Sequence, residues 1–224
     1  MLGQIITIDT PERHCKYYIA FDPIYLAGLL LSVNHNDFKL LKIVSGAVKE
    51  MSEGELLQIE KARRLDIKED VYFKIIKKKT AALMAACCAS GANSINQNSS
   101  IVKQMYLFGE KIGIAFQIKD DLLDYVPSTI TGKPKGLDIR GKKMTLPLIY
   151  TLNVVSTSIK KNIINTIKNH NNDEKKITKV MQLIQKNGGI DYAKSKMKQY
   201  SFEALSILNN FPNNKASKSL KLLL

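Results

Sequence analysis

The sequence predicts an all-α protein, and three observations predict it. Apolar residues recur at three- and four-residue spacing through most of the 224 positions. Residues that favour helix ends stand at the joints between those runs. Alternating apolar and polar stretches of the kind that form half-buried strands are absent. The expectation is one helical domain over 26–224, preceded by a segment, 1–25, with Pro11, Pro23, no clean period and no assigned element.

Over 36–64, Phe38, Leu41, Val44, Val48, Met51 and Leu56 give the first helical stripe. LDIKED breaks it, with Asp66 as an N-cap and Glu69 three residues on, a capping-box pattern. A second helix follows over 68–89, with Gly91 as its C-cap. GANSINQNSS is a loop, and Ser99 or Ser100 caps a third helix. That helix carries Val102, Met105, Phe108, Ile112, Ala115 and Phe116 into a group of aspartates and stops near Pro127. Residues 128–144, with Gly132, Pro134, Gly136 and Gly141, read as an irregular loop. Thr145 caps a helix that tolerates Pro147 in its first turn. Further helical patterns cover 159–168, 174–186, 190–209 and 215–224, joined by NHNND and NNFPNN.

Composition excludes several classes. The hydrophobic share of 45% and charged share of 24% are those of an ordinary globular chain. No apolar run approaches the roughly 18 to 20 residues of a membrane helix, and no secretory signal pattern opens the chain, so a cytoplasmic protein is expected. Cys15 stands far from the adjacent Cys87 and Cys88, which excludes a disulfide framework or a CxxC zinc pair. Cys87 and Cys88 lie in the small-residue helix TAALMAACCASGA and read as core. The net charge of +14 implies general attraction for polyanions. The lysines are scattered, however, and arginine, the usual reader of base edges, occurs only at Arg13, Arg63, Arg64 and Arg140. No specific nucleic-acid partner is expected.

AFQIKDDLLDY raises the sharper question. Asp120 and Asp124 are one helical turn apart and Asp121 is three residues from Asp124, so the three carboxylates share a face with Gln117 one turn earlier. Like charges at that spacing cost a helix about 0.2 to 0.5 kcal/mol per pair. The spacing leaves two readings, a solvated acidic face and a face that holds a divalent cation. Ala115, Phe116, Ile118, Leu122 and Leu123 leave little solvated helix, which favours the cation. Mg²⁺ takes one or two carboxylates plus substrate phosphates. The loop that follows supplies glycines, which permit close backbone approach, and Lys133, Lys135, Lys142 and Lys143, point charges suited to phosphate.

Taken together, FQIKDDLLDY…TGKPKGLDIRGKKMTLPLIY resembles the second aspartate-rich region of the trans-isoprenyl (polyprenyl) diphosphate synthases. GELLQIEKARRLDIKEDVYFKIIKKKTAALMAACCASGA is similar to the region that precedes it, and GGIDYAKSKMKQYSFEALSILNNFP to the C-terminal helices. The resemblance implies an isoprenoid synthase helical bundle, usually a homodimer, that condenses isopentenyl diphosphate onto an allylic diphosphate with Mg²⁺. It implies that Asp120, Asp121 and Asp124 hold the metal, with Asp120 and Asp124 as direct ligands. Lys79, Thr80 and Gln117 would be the catalytic residues. Lys79, Lys133 and Lys143 would contact the diphosphate, and Asp138 matches a further acidic position.

The family's first aspartate-rich motif, with the arginines after it, has no match upstream of Gly28. That stretch holds Asp9 and Asp22, far apart, and Arg13. The chain therefore reads as a member truncated at its N-terminus, with an incomplete bundle. Two expectations follow: a prenyltransferase of polyprenyl diphosphate synthase type, or a non-catalytic partner subunit or pseudoenzyme that pairs with a complete synthase as a heterodimer.

Overall fold

The computed structural model describes residues 5–8, 17–20, 23–62, 65–95, 98–126 and 136–224. Helices carry the architecture. They are α1 (Pro23–Asn34), α2 (Phe38–Ala62), α3 (Glu69–Ile76), a π-helical turn (Lys77–Ala81), α4 (Ala82–Ser94) and α5 (Ser99–Leu123). After these come the one-turn α6 (Leu137–Arg140), α7 (Leu146–Val154), α8 (Thr157–Asn169), α9 (Glu174–Lys186), α10 (Gly189–Leu208) and α11 (Lys215–Lys221). Among the described residues no helix is long and apolar enough to cross a membrane.

The N-terminal segment, unassigned from sequence, contains β1 (Ile5–Ile8) and β2 (Tyr17–Ala20), paired antiparallel with Ile5 opposite Ala20 and Ile8 opposite Tyr17. Each strand is short and almost wholly β-branched or aromatic, so neither yields an alternating signal. The sequence PIYLAGLLLSVN of α1 is apolar around most of its circumference and shows no stripe either.

Tertiary structure moves three caps. α3 begins at Glu69, not after Asp66, because Leu65 adopts φ 54° and Leu65 and Ile67 are drawn into the core first. The Glu69 carboxylate accepts from the Tyr192 hydroxyl (2.7 Å), and α3 has no side-chain cap bond. Gly91 lies inside α4, which runs on to Ser94, whose hydroxyl donates to the Gly91 carbonyl. Asn98 caps α5 instead of a serine, its Oδ1 accepting from Ile101 N at 3.0 Å. Thr145 stands at the N-cap of α7 with Pro147 in the first turn, but its hydroxyl pairs with that of Tyr125 (2.8 Å) and makes no cap bond. Part of the expected loop 128–144 is α6.

α5 is the axis of the bundle. It packs on α4 along one side and α10 along another, while α2 lies against α4 and the π turn. The main core joins Ile75, Ile76, Ile114, Ile118 and Leu122 to Ile139, Leu146, Leu148, Ile149, Ile163, Ile177 and Ile184. Burial of each such side chain is worth about 1.5–3 kcal/mol. A second cluster forms around Phe108, Ala204 and Leu208, against which Leu220 and Leu224 close. Cys88 packs on that cluster, but Cys87 is exposed, contrary to the core reading of the pair. The buried face of α4 is carried by Ala82, Ala85, Ala86 and Ala89, and Cys87 falls outside it. Phe38, Leu56, Phe116 and Leu123 are exposed as well.

α4 and α5 approach closely at Gly109, where a Cβ would stand 2.5 Å from the Met84 carbonyl oxygen and 2.7 Å from Ala85 Cα. Both obstacles are backbone and cannot swing aside. Gly109→Ala is expected to lower unfolding free energy by about 1–3 kcal/mol through overpacking, measured by urea denaturation.

Candidate active site

The site is built where one long helix is re-aimed. Between α3 and α4 the Ala82 N–H bonds to the Lys77 carbonyl, five residues back, which makes the π turn. Such turns insert a residue and change the direction of the side chains around them. Tyr72, Ile76 and Lys79, spaced by four and three residues, line one wall of a cavity of about 260 Å³. Gln58 of α2, Thr80 of the π turn, Gln117, Asp120 and Asp121 of α5, and Lys143 complete its polar wall. Ile67, Ile75, Ile76 and Met144 supply its apolar wall.

Two polar networks hold these side chains, one around Asp121 and one around Lys79. Asp121 is 1% exposed, accepting from the Tyr72 hydroxyl at 2.8 Å, Lys143 Nζ at 2.9 Å and Gln117 Nε2 at 3.1 Å. Lys143 also donates to Asp138 Oδ2 (3.1 Å). Gln117 donates to Asp120 Oδ2 (3.3 Å) and accepts from the Thr80 hydroxyl (2.8 Å). On the opposite wall Lys79 donates to Gln58 Oε1 (2.8 Å) and pairs with Glu55 (2.5 Å).

Burial and charge set the titration of these groups. Burial raises the Asp121 carboxyl, an effect that Lys143, Tyr72 and Gln117 oppose. Burial alone would depress Lys143, but Asp121 and Asp138 outweigh it and the ammonium is held above its ordinary value. Tyr72 is pushed well up by burial and by the neighbouring Asp121 charge, so its proton stays on the phenol. Asp124 is raised by burial and by Asp138.

The structure thus brings Lys79, Thr80, Gln117, Asp120, Asp121 and Lys143 to one cavity. It does not bring the three aspartates to one point. Asp120 is exposed, Asp121 turns inward to Tyr72 and Lys143, and Asp124 accepts from the backbone N–H groups of Leu137 (2.7 Å) and Asp138 (3.2 Å) at the start of α6. Gly136, at φ 73°, makes the left-handed turn that presents those two groups. Among the described residues no three His, Cys, Asp or Glu side chains form a metal-holding group. Lys133 lies outside the described residues. Sequence reasoning missed Tyr72 and Gln58. The spacing of Tyr72, Ile76 and Lys79 places them on one helical face, a signal that was available for Tyr72.

The fold is that of an isoprenoid synthase helical bundle. The polyprenyl synthetase family profile matches residues 20–184, and the chain belongs to that family. It is 32% identical over 189 residues to a geranylgeranyl diphosphate synthase of Saccharolobus solfataricus, covering 83% of this chain and 57% of the relative. It is 30% identical over 197 residues to heptaprenyl diphosphate synthase component 2 of Bacillus subtilis, covering 87% and 56%. The crystal structure of a polyprenyl synthase from Caulobacter crescentus CB15, complexed with calcium and isoprenyl diphosphate, superposes with a TM-score of 0.81 at 30% identity, covering 88% and 61%. The chain therefore spans about three fifths of the length of each of these proteins.

Proposed function

We propose that this chain is a prenyltransferase subunit that condenses isopentenyl diphosphate onto an allylic diphosphate to give a polyprenyl diphosphate. One observation carries the reading: Lys79, Lys143, Thr80, Gln117 and two of the aspartates, drawn from separate elements, line a single cavity. In this reading Lys79 and Lys143 take the diphosphate oxygens. Lys133 joins them, by family resemblance alone. Gln117 and Thr80, already bonded to one another, present a fixed polar edge beside the reacting carbons. Ile67, Ile75, Ile76 and Met144 keep water from the electron-poor allylic carbon.

The donor set suits Mg²⁺, a hard cation that needs only one or two carboxylates when a substrate supplies phosphates. By family resemblance Asp120 and Asp124 would hold it directly, with Asp121 behind them, although Asp124 bonds to the start of α6 and does not line the cavity. When bound, Mg²⁺ neutralises charge that develops on the departing diphosphate. The bound calcium and isoprenyl diphosphate of the Caulobacter protein support this use of the site. We take the chain to act in the cytoplasm, where a reducing environment suits the free thiols of Cys87 and Cys88.

We also propose that it works as a dimer. Leu30, Leu31 and Val33 leave α1 with an exposed apolar side, and the name of the Bacillus relative, component 2, supports a heteromeric form beside a homodimer. The second reading, a non-catalytic partner, is favoured by the satisfied state of the acidic groups. Lys143 already meets the charge of Asp121, and backbone N–H groups occupy Asp124. Radiolabelled isopentenyl diphosphate, Mg²⁺ and a series of allylic diphosphates test both readings, with the chain alone and mixed with a complete synthase. Organic-extractable label from the chain alone supports the first reading. A gain over the complete synthase only in the mixture supports the second, and no label above the synthase's own in either arm overturns both.

A further inference from the structure

The π turn carries three consecutive lysines, and each is fastened in a different direction. Lys77 pairs with Glu110 of α5 at 2.9 Å. Lys78 pairs with Glu50 (3.2 Å) and Glu53 of α2. Lys79 faces the cavity, with Glu55 and Gln58 beside it. The turn is thus a wedge between α2 and α5. On the α2 side the backbones nearly touch, since a Cβ on Gly54 would stand 2.6 Å from Lys79 N. On the α5 side a Cβ on Gly113 would stand 2.6 Å from Ala81 Cα, and the Glu110 carboxylate and the Thr80 hydrogen bond to Gln117 add polar fastening to that contact.

Glu110 is unusual among these anchors. It is 8% exposed while its partner Lys77 is largely solvated, so the carboxylate stays where packing puts it and the lysine comes to it. A buried carboxylate with a single ammonium partner is costly when that partner is removed. Lys78 alone separates Lys77 from Lys79, and in a helical turn a rotation of one carries the other.

We propose that Glu110 is a positioning residue for the diphosphate site: by holding Lys77 from the α5 side, against the hold of Glu50 and Glu53 on Lys78, it fixes the π turn so that Lys79 and Thr80 face the cavity. The proposal rests on reading the cavity as a diphosphate site, and its test separates the two. Glu110→Gln keeps the shape and removes the charge. Lys77→Gln does the same from the exposed side, should the first variant fold poorly. Lys77→Glu with Glu110→Lys restores a pair of reversed polarity.

Amide hydrogen exchange of the peptide spanning the π turn reads the clamp without any ligand. Each single variant should exchange there about tenfold faster than the parent, with exchange in α9 unchanged, and the swapped pair should recover most of the protection. Calorimetric titration with Mg²⁺ and inorganic diphosphate reads the consequence: binding about fivefold or more weaker in the single variants and restored in the swap. Unchanged exchange and unchanged affinity in both single variants would overturn the clamp. So would a swapped pair as weak as the singles, since the pairing of charge would then not be the cause. A parent that shows the exchange pattern but binds no diphosphate would keep the clamp and defeat the reading of the site.

Discussion

Replacing Asp120 and Asp124 together by alanine is expected to erase the extra thermal stabilisation that Mg²⁺ and inorganic diphosphate give in combination. A ligand that binds only the folded state adds about 2.7 kcal/mol at one hundred times its dissociation constant, so a real site produces a large shift in melting temperature. The two ligands should act jointly in the parent, because Mg²⁺ held by few carboxylates needs phosphate oxygens to complete its shell. The baseline of the variant will move as well. Asp124 accepts from Leu137 and Asp138 backbone N–H groups, and losing that acceptor at a partly solvated helix start costs about 0.5–1.5 kcal/mol. The quantity to compare is therefore the ligand-induced increment measured by scanning calorimetry. Asp120→Asn with Asp124→Asn keeps an acceptor for α6 and should lose the increment equally. An alanine pair that keeps the parental increment would remove both residues from the metal site.

The long stripes of α5, α9 and α10 were legible in the sequence because each buries one face, while α2 followed its period with Phe38 and Leu56 left exposed. α2, α5, α9 and α10 all lie where their apolar periods put them. The caps were less legible, since local chemistry competes there with tertiary burial. Asp66 lost its place to the inward turn at Leu65 and Ile67, and Gly91 was not needed as a stop in a helix that continues to Ser94. α1 and the two strands gave no period to read. For the site, motif resemblance grouped residues that spacing could not group: Thr80 meets Gln117 across the bundle, and Lys143 meets Asp121 from beyond the end of α5. The π turn was hidden, because an inserted residue leaves no mark in composition. The different fates of the three aspartates were hidden too. Their order along the helix says that they neighbour one another, while the partners that separate them, Tyr72, Lys143 and the start of α6, arrive from elsewhere in the chain.

Lys143→Ala is expected to destabilise the fold by about 3 kcal/mol near neutral pH, the scale of loss when one partner of a buried pair is removed. Lys143 Nζ lies 2.9 Å from Asp121 and 3.1 Å from Asp138, and Asp121 is almost wholly buried. With the ammonium gone, Tyr72 and Gln117 remain as donors to Asp121, and neither carries charge. Burial already raises the Asp121 carboxyl in the presence of Lys143, and loss of the lysine raises it further. A carboxyl whose folded value lies above its unfolded one binds protons more readily in the folded state, so its contribution is present below the unfolded value and is lost as pH rises through the folded value. The deficit of Lys143→Ala relative to the parent should therefore be greatest near neutral pH and shrink as the solution is acidified. Adding Asp121→Asn should recover part of the loss at neutral pH, since an amide oxygen still accepts from Tyr72 without leaving a charge in the core. Urea denaturation of the parent, the single variant and the double variant across that range measures all three effects. A deficit below about 1 kcal/mol that does not change with pH would mean that water or another cation reaches Asp121, and that the pair with Lys143 does not hold this wall of the cavity in place.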